Sequence, residues 1–148
     1  MKKIVYPLLP HQKILLLRAS QQLSVRDLSN LSGVHPVKIH RIEFGVSQLR
    51  INAAAKIVSA LTTTPEELAS SYWEYTPAFE GTLAEKFFYL RQQQQVKLKV
   101  LSRAVNTSPA TLCRIESSQA VNPVFMLLKH TSDYYQVAIS WLMGYNNN

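Results

Sequence analysis

The sequence has little of the residues that define several common classes of protein. It contains one cysteine and four glycines among 148 residues. A single cysteine excludes an intramolecular disulfide framework and a cysteine-based zinc site, and so little glycine is atypical of a glycine-rich all-β fold. No window approaches 18 uninterrupted apolar residues, so the sequence predicts no membrane span. Pro7 and Pro10 interrupt the apolar start and no small-residue cleavage site follows, so we expect no signal peptide and a cytoplasmic protein.

Acidic residues are also scarce. Nine Asp and Glu stand against 16 Lys and Arg, which gives a net charge of +7 and an isoelectric point near 9.7. A basic balance favours an anionic partner, most often nucleic acid, although surface charge also serves solubility. Residues 1–73 carry nine basic and four acidic residues, whereas residues 74–148 carry seven and five. The first part of the chain is therefore expected to make the stronger nucleic-acid contact.

The chain contains an internal repeat. Residues 34–43 recur 73 positions later as residues 107–116, and both copies end in Arg-Ile-Glu. Identical residues continue at this offset in the pairs Lys13/Lys86, Leu17/Leu90, Arg18/Arg91, Gln21/Gln94, Gln22/Gln95, Leu28/Leu101, Ser29/Ser102, Lys56/Lys129 and Ser59/Ser132. A repeat of this kind predicts two copies of one small unit. Each unit is so small that we expect the two to stabilise each other by packing together. We predict a first domain over residues 8–70, an aromatic linker over 71–81 and a second domain over 82–145. Its aromatic residues predict that the linker docks along one domain or forms an interface.

Local signals place a short helix, a tight turn and a second helix in each copy. Ser24 is a good N-cap, with Asp27 in the first turn that follows. Gly33 supplies the positive φ that a turn between close helices needs, and Asn106, the next-best residue for that conformation, replaces it in the second copy. Pro36 is tolerated in the first turn of the next helix. The pattern predicts about five short helices in each copy.

These motifs resemble the helix-turn-helix family of phage Cro and repressor proteins, the xenobiotic-response-element type. The resemblance rests on Leu23-Ser24, on Ser32-Gly33-Val34 and on the stretch from Ile39 to Gly45, Ile-His-Arg-Ile-Glu-Phe-Gly. It covers residues 11–69 well and residues 83–144 more loosely. It implies an all-α protein with two tandem repressor-like domains, which binds a double-stranded DNA operator in the nucleoid. The third helix of each copy would read an operator half-site, and occupancy would block polymerase or, less often, recruit it.

The resemblance also implies which side chains face DNA. Such a helix enters a major groove about 12 Å wide, where an arginine can bind guanine O6 and N7 together. The base-reading candidates are His35, Val37, Lys38, Arg41, Ser108, Ala110, Thr111 and Arg114. The phosphate-binding candidates are Arg26, Ser47, Gln48, Arg50, Lys97 and Lys99. Arg18 with Glu43, and Arg91 with Glu116, match a family ion pair and are assigned a structural role, because deleting one partner would strand a buried charge.

The chain departs from the family pattern at several positions. Val25 and Leu98 stand where relatives often place a glutamine that contacts the DNA backbone. Pro36 and Pro109 remove a side chain that relatives use to read bases. The second loop, residues 117–119, lacks the glycine of the first and is less basic. We interpret Cys113 as a small filler residue rather than a redox switch, because nothing in the sequence indicates a lowered thiol pKa.

Several interpretations remain open at the level of sequence. The two copies can form a dimer within one chain, or a homodimer can present four motifs to a longer operator. The second copy can instead be a protein-interaction or dimerisation module, and the chain can be an antitoxin that binds its promoter and a toxin. No enzyme is expected, since paired carboxylates, a Ser-His-Asp arrangement and a phosphate-cradling glycine loop are lacking. No cofactor or metal is expected either, because His11, His35, His40 and His130 lack metal-ligand spacing.

Overall fold

The computed structural model describes residues 8–145, and within them the protein is all-α. Ten helices follow in order: α1 Pro10–Ser20, α2 Val25–Ser32, α3 Pro36–Glu43, α4 Ile51–Ala60, α5 Pro65–Ala69, α6 Leu83–Gln94, α7 Leu98–Ala104, α8 Pro109–Glu116, α9 Phe125–Tyr135 and α10 Ile139–Met143. In this part of the chain no helix is long and apolar enough to cross a membrane. The expected all-α fold is confirmed. The predicted absence of a signal peptide concerns the start of the chain, where residues 1–7 lie outside the described range.

The backbone repeats as the sequence does, with one residue inserted. Residues with positive φ recur at an offset of 73 in the pairs Gln22/Gln95, Gly33/Asn106 and Gly45/Ser118, and at an offset of 74 in the pairs Thr62/Gln136 and Ser70/Gly144. The insertion therefore lies between Ser118 and Gln136, where the loop before α9 is one residue longer than the loop before α4. The sequence pairing of Lys56 with Lys129 and of Ser59 with Ser132 is wrong, because the backbone aligns Lys56 with His130.

Caps and turns follow the local signals. Ser24 Oγ accepts from the Asp27 amide at 3.0 Å, and Asp27 Oδ2 accepts from the Ser24 amide at 2.9 Å. The bonds from Ser24 lower the pKa of Asp27. After α2 the chain turns through Gly33 with φ 77°, and after α7 it turns through Asn106 with φ 56°. The turn before α3 and the turn before α8 therefore share one backbone geometry despite different residues.

One cluster of buried side chains runs through both sets of five helices. In the first half, α1–α5, the fully buried residues include Ile14, Leu28 and Ile57. In the second half, α6–α10, Phe87 and Phe125 are fully buried in the same cluster. Because this core is continuous, the halves support each other, and the division into two domains at residues 71–81 stays a prediction.

Part-buried ion pairs hold the first and third helix of each half together. Arg18 contacts Glu43 at 2.8 Å and Arg91 contacts Glu116 at 2.7 Å, which are the two pairs that the resemblance implies. Each arginine also donates to the carbonyl that closes the turn after its own helix, at Leu23 or Val96. The hydrogen bonds to Glu43 raise the pKa of Arg18 above its ordinary value. These pairs fix α3 and α8 in position.

In each half, a lysine at the same repeat position joins the first helix to the fifth. Lys13 Nζ donates to the Glu67 carbonyl, and Lys86 Nζ donates to the Trp141 carbonyl at 2.6 Å. Both carbonyls belong to short helices, where a cation satisfies an end carbonyl and the helix dipole. Burial lowers the pKa of Lys86. The identity of Lys13 and Lys86 in the sequence gives no indication of this role.

The aromatic segment 71–81 packs along the second half. Trp73 Nε1 donates to Asp133 Oδ1 at 2.9 Å, and the Tyr75 carbonyl accepts from the Ala138 amide at 2.8 Å. Phe79 stacks on Tyr89 with ring centroids 4.4 Å apart. Most of the segment is therefore docked along the second half, whereas Tyr72 Oη donates to Glu67 Oε2 of the first half at 2.7 Å.

Candidate nucleic-acid interface

Helix α3 buries one face and exposes the other. Ile39 and Ile42 are fully buried, and Glu43 beside them is held by Arg18. The four base-reading candidates of this half, His35, Val37, Lys38 and Arg41, are all exposed. His35 also has a structural role, because its Nδ1 accepts from the Val37 amide at 3.2 Å and caps the helix. That leaves Nε2 as the ring nitrogen with which His35 can contact a base edge.

Helix α8 is built in the same way but offers fewer polar groups. Leu112 and Ile115 are fully buried, while Ser108, Ala110 and Arg114 are exposed and Thr111 is half-buried. Ser108 Oγ accepts from the Thr111 amide at 3.1 Å and shares a 2.9 Å hydrogen bond with Thr111 Oγ1. The two hydroxyls therefore satisfy each other, and Arg114 is left as the main polar group on this surface.

The two arginines occupy the same position in their helices. Arg41 and Arg114 lie 73 residues apart, in the last turn of α3 and of α8. Among the described residues, neither side chain makes a hydrogen bond or an ion pair. An exposed guanidinium without an acidic partner can bind an anion or a base edge without first breaking an internal bond.

Most phosphate-binding candidates are exposed around these helices. Arg26, Gln48, Arg50, Lys97 and Lys99 are exposed, and Ser47 is half-buried. Arg50 Nη1 donates to the Asn122 carbonyl at 2.9 Å, so this arginine is positioned where the two halves meet.

Acidic residues are scarce in the two stretches of chain that contain α3 and α8. Between residues 28 and 65 the only acidic residue is Glu43, and between residues 86 and 132 it is Glu116. Each of these two carboxylates is neutralised by its part-buried arginine partner. The stretches that contain α3 and α8 therefore present basic side chains with no uncompensated acid, which favours an anionic partner.

The halves meet at a junction formed by Leu49–Ile51 and Pro123–Phe125. The Ile51 amide donates to the Pro123 carbonyl at 3.0 Å, and the Phe125 amide donates to the Leu49 carbonyl at 2.7 Å. These bonds form an antiparallel bridge between Arg50 and Val124. Beside the junction, a groove of about 620 Å³ is lined by Thr111 and Arg114 of one half and by Gln48 and Arg50 of the other. The outward surface of α8 therefore adjoins the loop that follows α3.

Cys113 does not fill a space in the core. It is exposed on α8, at the position that corresponds to exposed His40 on α3. The interpretation of Cys113 as a filler residue is therefore wrong. Within residues 8–145, no three His, Cys, Asp or Glu side chains are grouped so that they could hold a metal ion.

No protein-family model matches the chain, and no curated protein or solved structure shows significant similarity to it.

Proposed function

We propose that the protein is a sequence-specific double-stranded DNA-binding regulator of the Cro and repressor helix-turn-helix type, and that it represses by occupying its operator. One observation carries the proposal. Two helices, α3 and α8, are anchored by buried isoleucine or leucine and a part-buried ion pair, and each presents an exposed arginine at the same position. A helix that is fixed on one side and basic on the other is suited to a major groove.

Each exposed group has a chemical counterpart on DNA. Arg41 and Arg114 would bind guanine O6 and N7, a contact worth about 1–3 kcal/mol of discrimination. Val37 would pack on a thymine methyl, and Lys38 would meet a guanine edge or a phosphate. The exposed Arg26, Lys97 and Lys99 would contact phosphates and fix the register without reading sequence.

A second candidate function concerns the second half alone. Residues 74–148 have the weaker positive balance, and on α8 the hydroxyls of Ser108 and Thr111 bind each other. These observations favour α8 as a surface for a protein partner, such as a toxin or a second copy of the chain. In that case α3 alone would read DNA.

Selection from a random duplex library at about 150 mM salt tests the proposal, because binding at low salt reports mainly phosphate attraction. We expect the full chain to enrich one site. Arg41→Ala should lose the preference for one G·C pair in it. Arg103→Ala is the matched control, since Arg103 is exposed on α7 outside the candidate set and its loss removes the same charge. The absence of any enriched site would contradict the proposal.

A further inference from the structure

The contacts between the halves are reciprocal. From α4 onward, residues of the two halves correspond at an offset of 74, so that Ile51 corresponds to Phe125. Extending the same offset to the residues just before these helices pairs Leu49 with Pro123. Ile51 donates to Pro123, and Phe125 donates to Leu49. In the first bond the donor lies in the first half and the acceptor in the second half. In the second bond the counterpart of that donor, Phe125, donates to the counterpart of that acceptor, Leu49. Such exchange is the signature of a twofold, isologous interface.

The same relation holds away from the junction. Ser59 and Tyr145 share a hydrogen bond of 2.9 Å, and their counterparts Asp133 and Ser71 are joined by a bond of 2.7 Å. Helix α5 packs against its own counterpart α10, where Ser140 Oγ donates to Glu66 Oε1.

A residue that contacts its own counterpart must lie close to the symmetry axis. Glu66 and Ser140 correspond to each other at the offset of 74, and so do Arg50 and Val124 of the bridge. Both pairs therefore mark a local twofold axis. That axis relates α4 and α5 to α9 and α10, and the buried cluster joins α3 and α8 to these helices.

The twofold relation of the backbone is not shared by the reading side chains. Of the base-reading candidates, only the arginine is common to the two halves; the others are His35, Val37 and Lys38 in one half and Ser108, Ala110 and Thr111 in the other. The junction is also unequal, since Arg50 corresponds to Val124. The symmetry of an operator mirrors the symmetry of the protein that reads it. Twofold contacts between the halves, combined with unequal reading side chains, therefore call for two unlike half-sites.

We propose, on the basis of the proposed function, that one chain binds one operator as an internal dimer and that this operator is composite, with two different half-sites that share a G·C pair at the arginine positions. Because the halves are covalently joined, their pairing does not depend on protein concentration. The second half is then a DNA reader and not a partner module.

The test uses the full chain and the duplex enriched by selection. Its half-sites, A and B, are rebuilt as duplexes AB, AA and BB of equal length. We expect one chain per AB duplex by sedimentation velocity. We also expect AB to bind at least about tenfold more tightly than AA or BB, since each symmetric duplex loses base contacts in one half.

Two matched variants assign the half-sites. Arg41→Ala should remove the G·C preference in one half-site only, and Arg114→Ala in the other only. Both arginines are exposed, so folding should be unchanged, which circular dichroism verifies.

Two chains on a palindromic duplex, AA or BB binding as tightly as AB, or an Arg114→Ala variant with unaltered preference would each overturn this inference and leave the proposed function standing. No binding to any duplex would overturn both.

Discussion

Replacing Glu43 with alanine should strongly destabilise the protein. The Glu43 side chain is 3% exposed and accepts three hydrogen bonds from Arg18, at 2.8, 2.8 and 3.2 Å. Without it, the guanidinium keeps one protein acceptor, the Leu23 carbonyl, and its side chain is 15% exposed. Removing one partner of a buried pair costs about 3–5 kcal/mol. Because Arg18 keeps that acceptor and some access to water, we expect about 3 kcal/mol of lost stability.

The second half provides a graded comparison. Glu116 accepts two hydrogen bonds from Arg91, and the side chains of this pair are 19% and 11% exposed. Glu116→Ala should therefore cost less, about 2 kcal/mol. The control is Glu67→Ala, which removes a carboxylate that is 51% exposed and lies 3.8 Å from Lys13. A surface pair of this kind contributes at most about 1 kcal/mol.

Urea unfolding followed by far-ultraviolet circular dichroism measures the three free energies of unfolding. Since one buried cluster includes both halves, a single transition is expected for the wild type and each variant. A loss below about 1 kcal/mol for Glu43→Ala would refute the structural role of the pair. Two separate transitions, of which each variant shifts only one, would refute the shared core and support independent domains.

Three further predictions concern turns, pH and the single thiol. Gly33→Ala should cost about 1 kcal/mol in the same unfolding assay, because φ is 77° and an added Cβ meets no atom within 4 Å; an unchanged stability would contradict this. Burial disfavours the charged form of Asp133, but hydrogen bonds from Ser71, Trp73 and Lys129 outweigh it and lower its pKa below the ordinary 3.8. Asp133→Asn should therefore destabilise the protein at pH 7, with the difference from wild type vanishing as the pH falls below 3.8; a difference that persists in acid would contradict this. Cys113 should react in the folded protein as fast as in urea, because it is exposed, and strong protection in mass spectrometry would disprove its placement.

Much of each half could be predicted from sequence because its signals are local. Proline in the first turn and the shared Arg-Ile-Glu ending place α3 and α8 within a residue of their bounds. Asparagine tolerates the left-handed backbone conformation, so the sequence predicts that Asn106 forms the same turn as Gly33 in the first copy. The ion pair of Arg18 with Glu43 followed from the family pattern, which a single sequence without that resemblance would not supply.

The relation between the halves could not be predicted in the same way. The bridge between Arg50 and Val124 is made by backbone groups, which leave no side-chain pattern in the sequence. The inserted residue lies in the loop before α9, where an insertion does not disturb helical periodicity. The sequence therefore does not reveal that the identities Lys56/Lys129 and Ser59/Ser132 are one residue out of structural register. His35 and Ser108 illustrate a different limit, because the residue types that cap helices are also those that bind bases.

The most direct test of DNA recognition is the specificity ratio. The dissociation constant of the full chain is measured at about 150 mM salt for the selected duplex and for a scrambled duplex of the same composition. A sequence-specific regulator should bind its site at least about 10³-fold more tightly than the scrambled duplex. Equal binding to both, with affinity that depends only on salt, would contradict base reading by α3 and α8 and leave only attraction between a basic surface and phosphate.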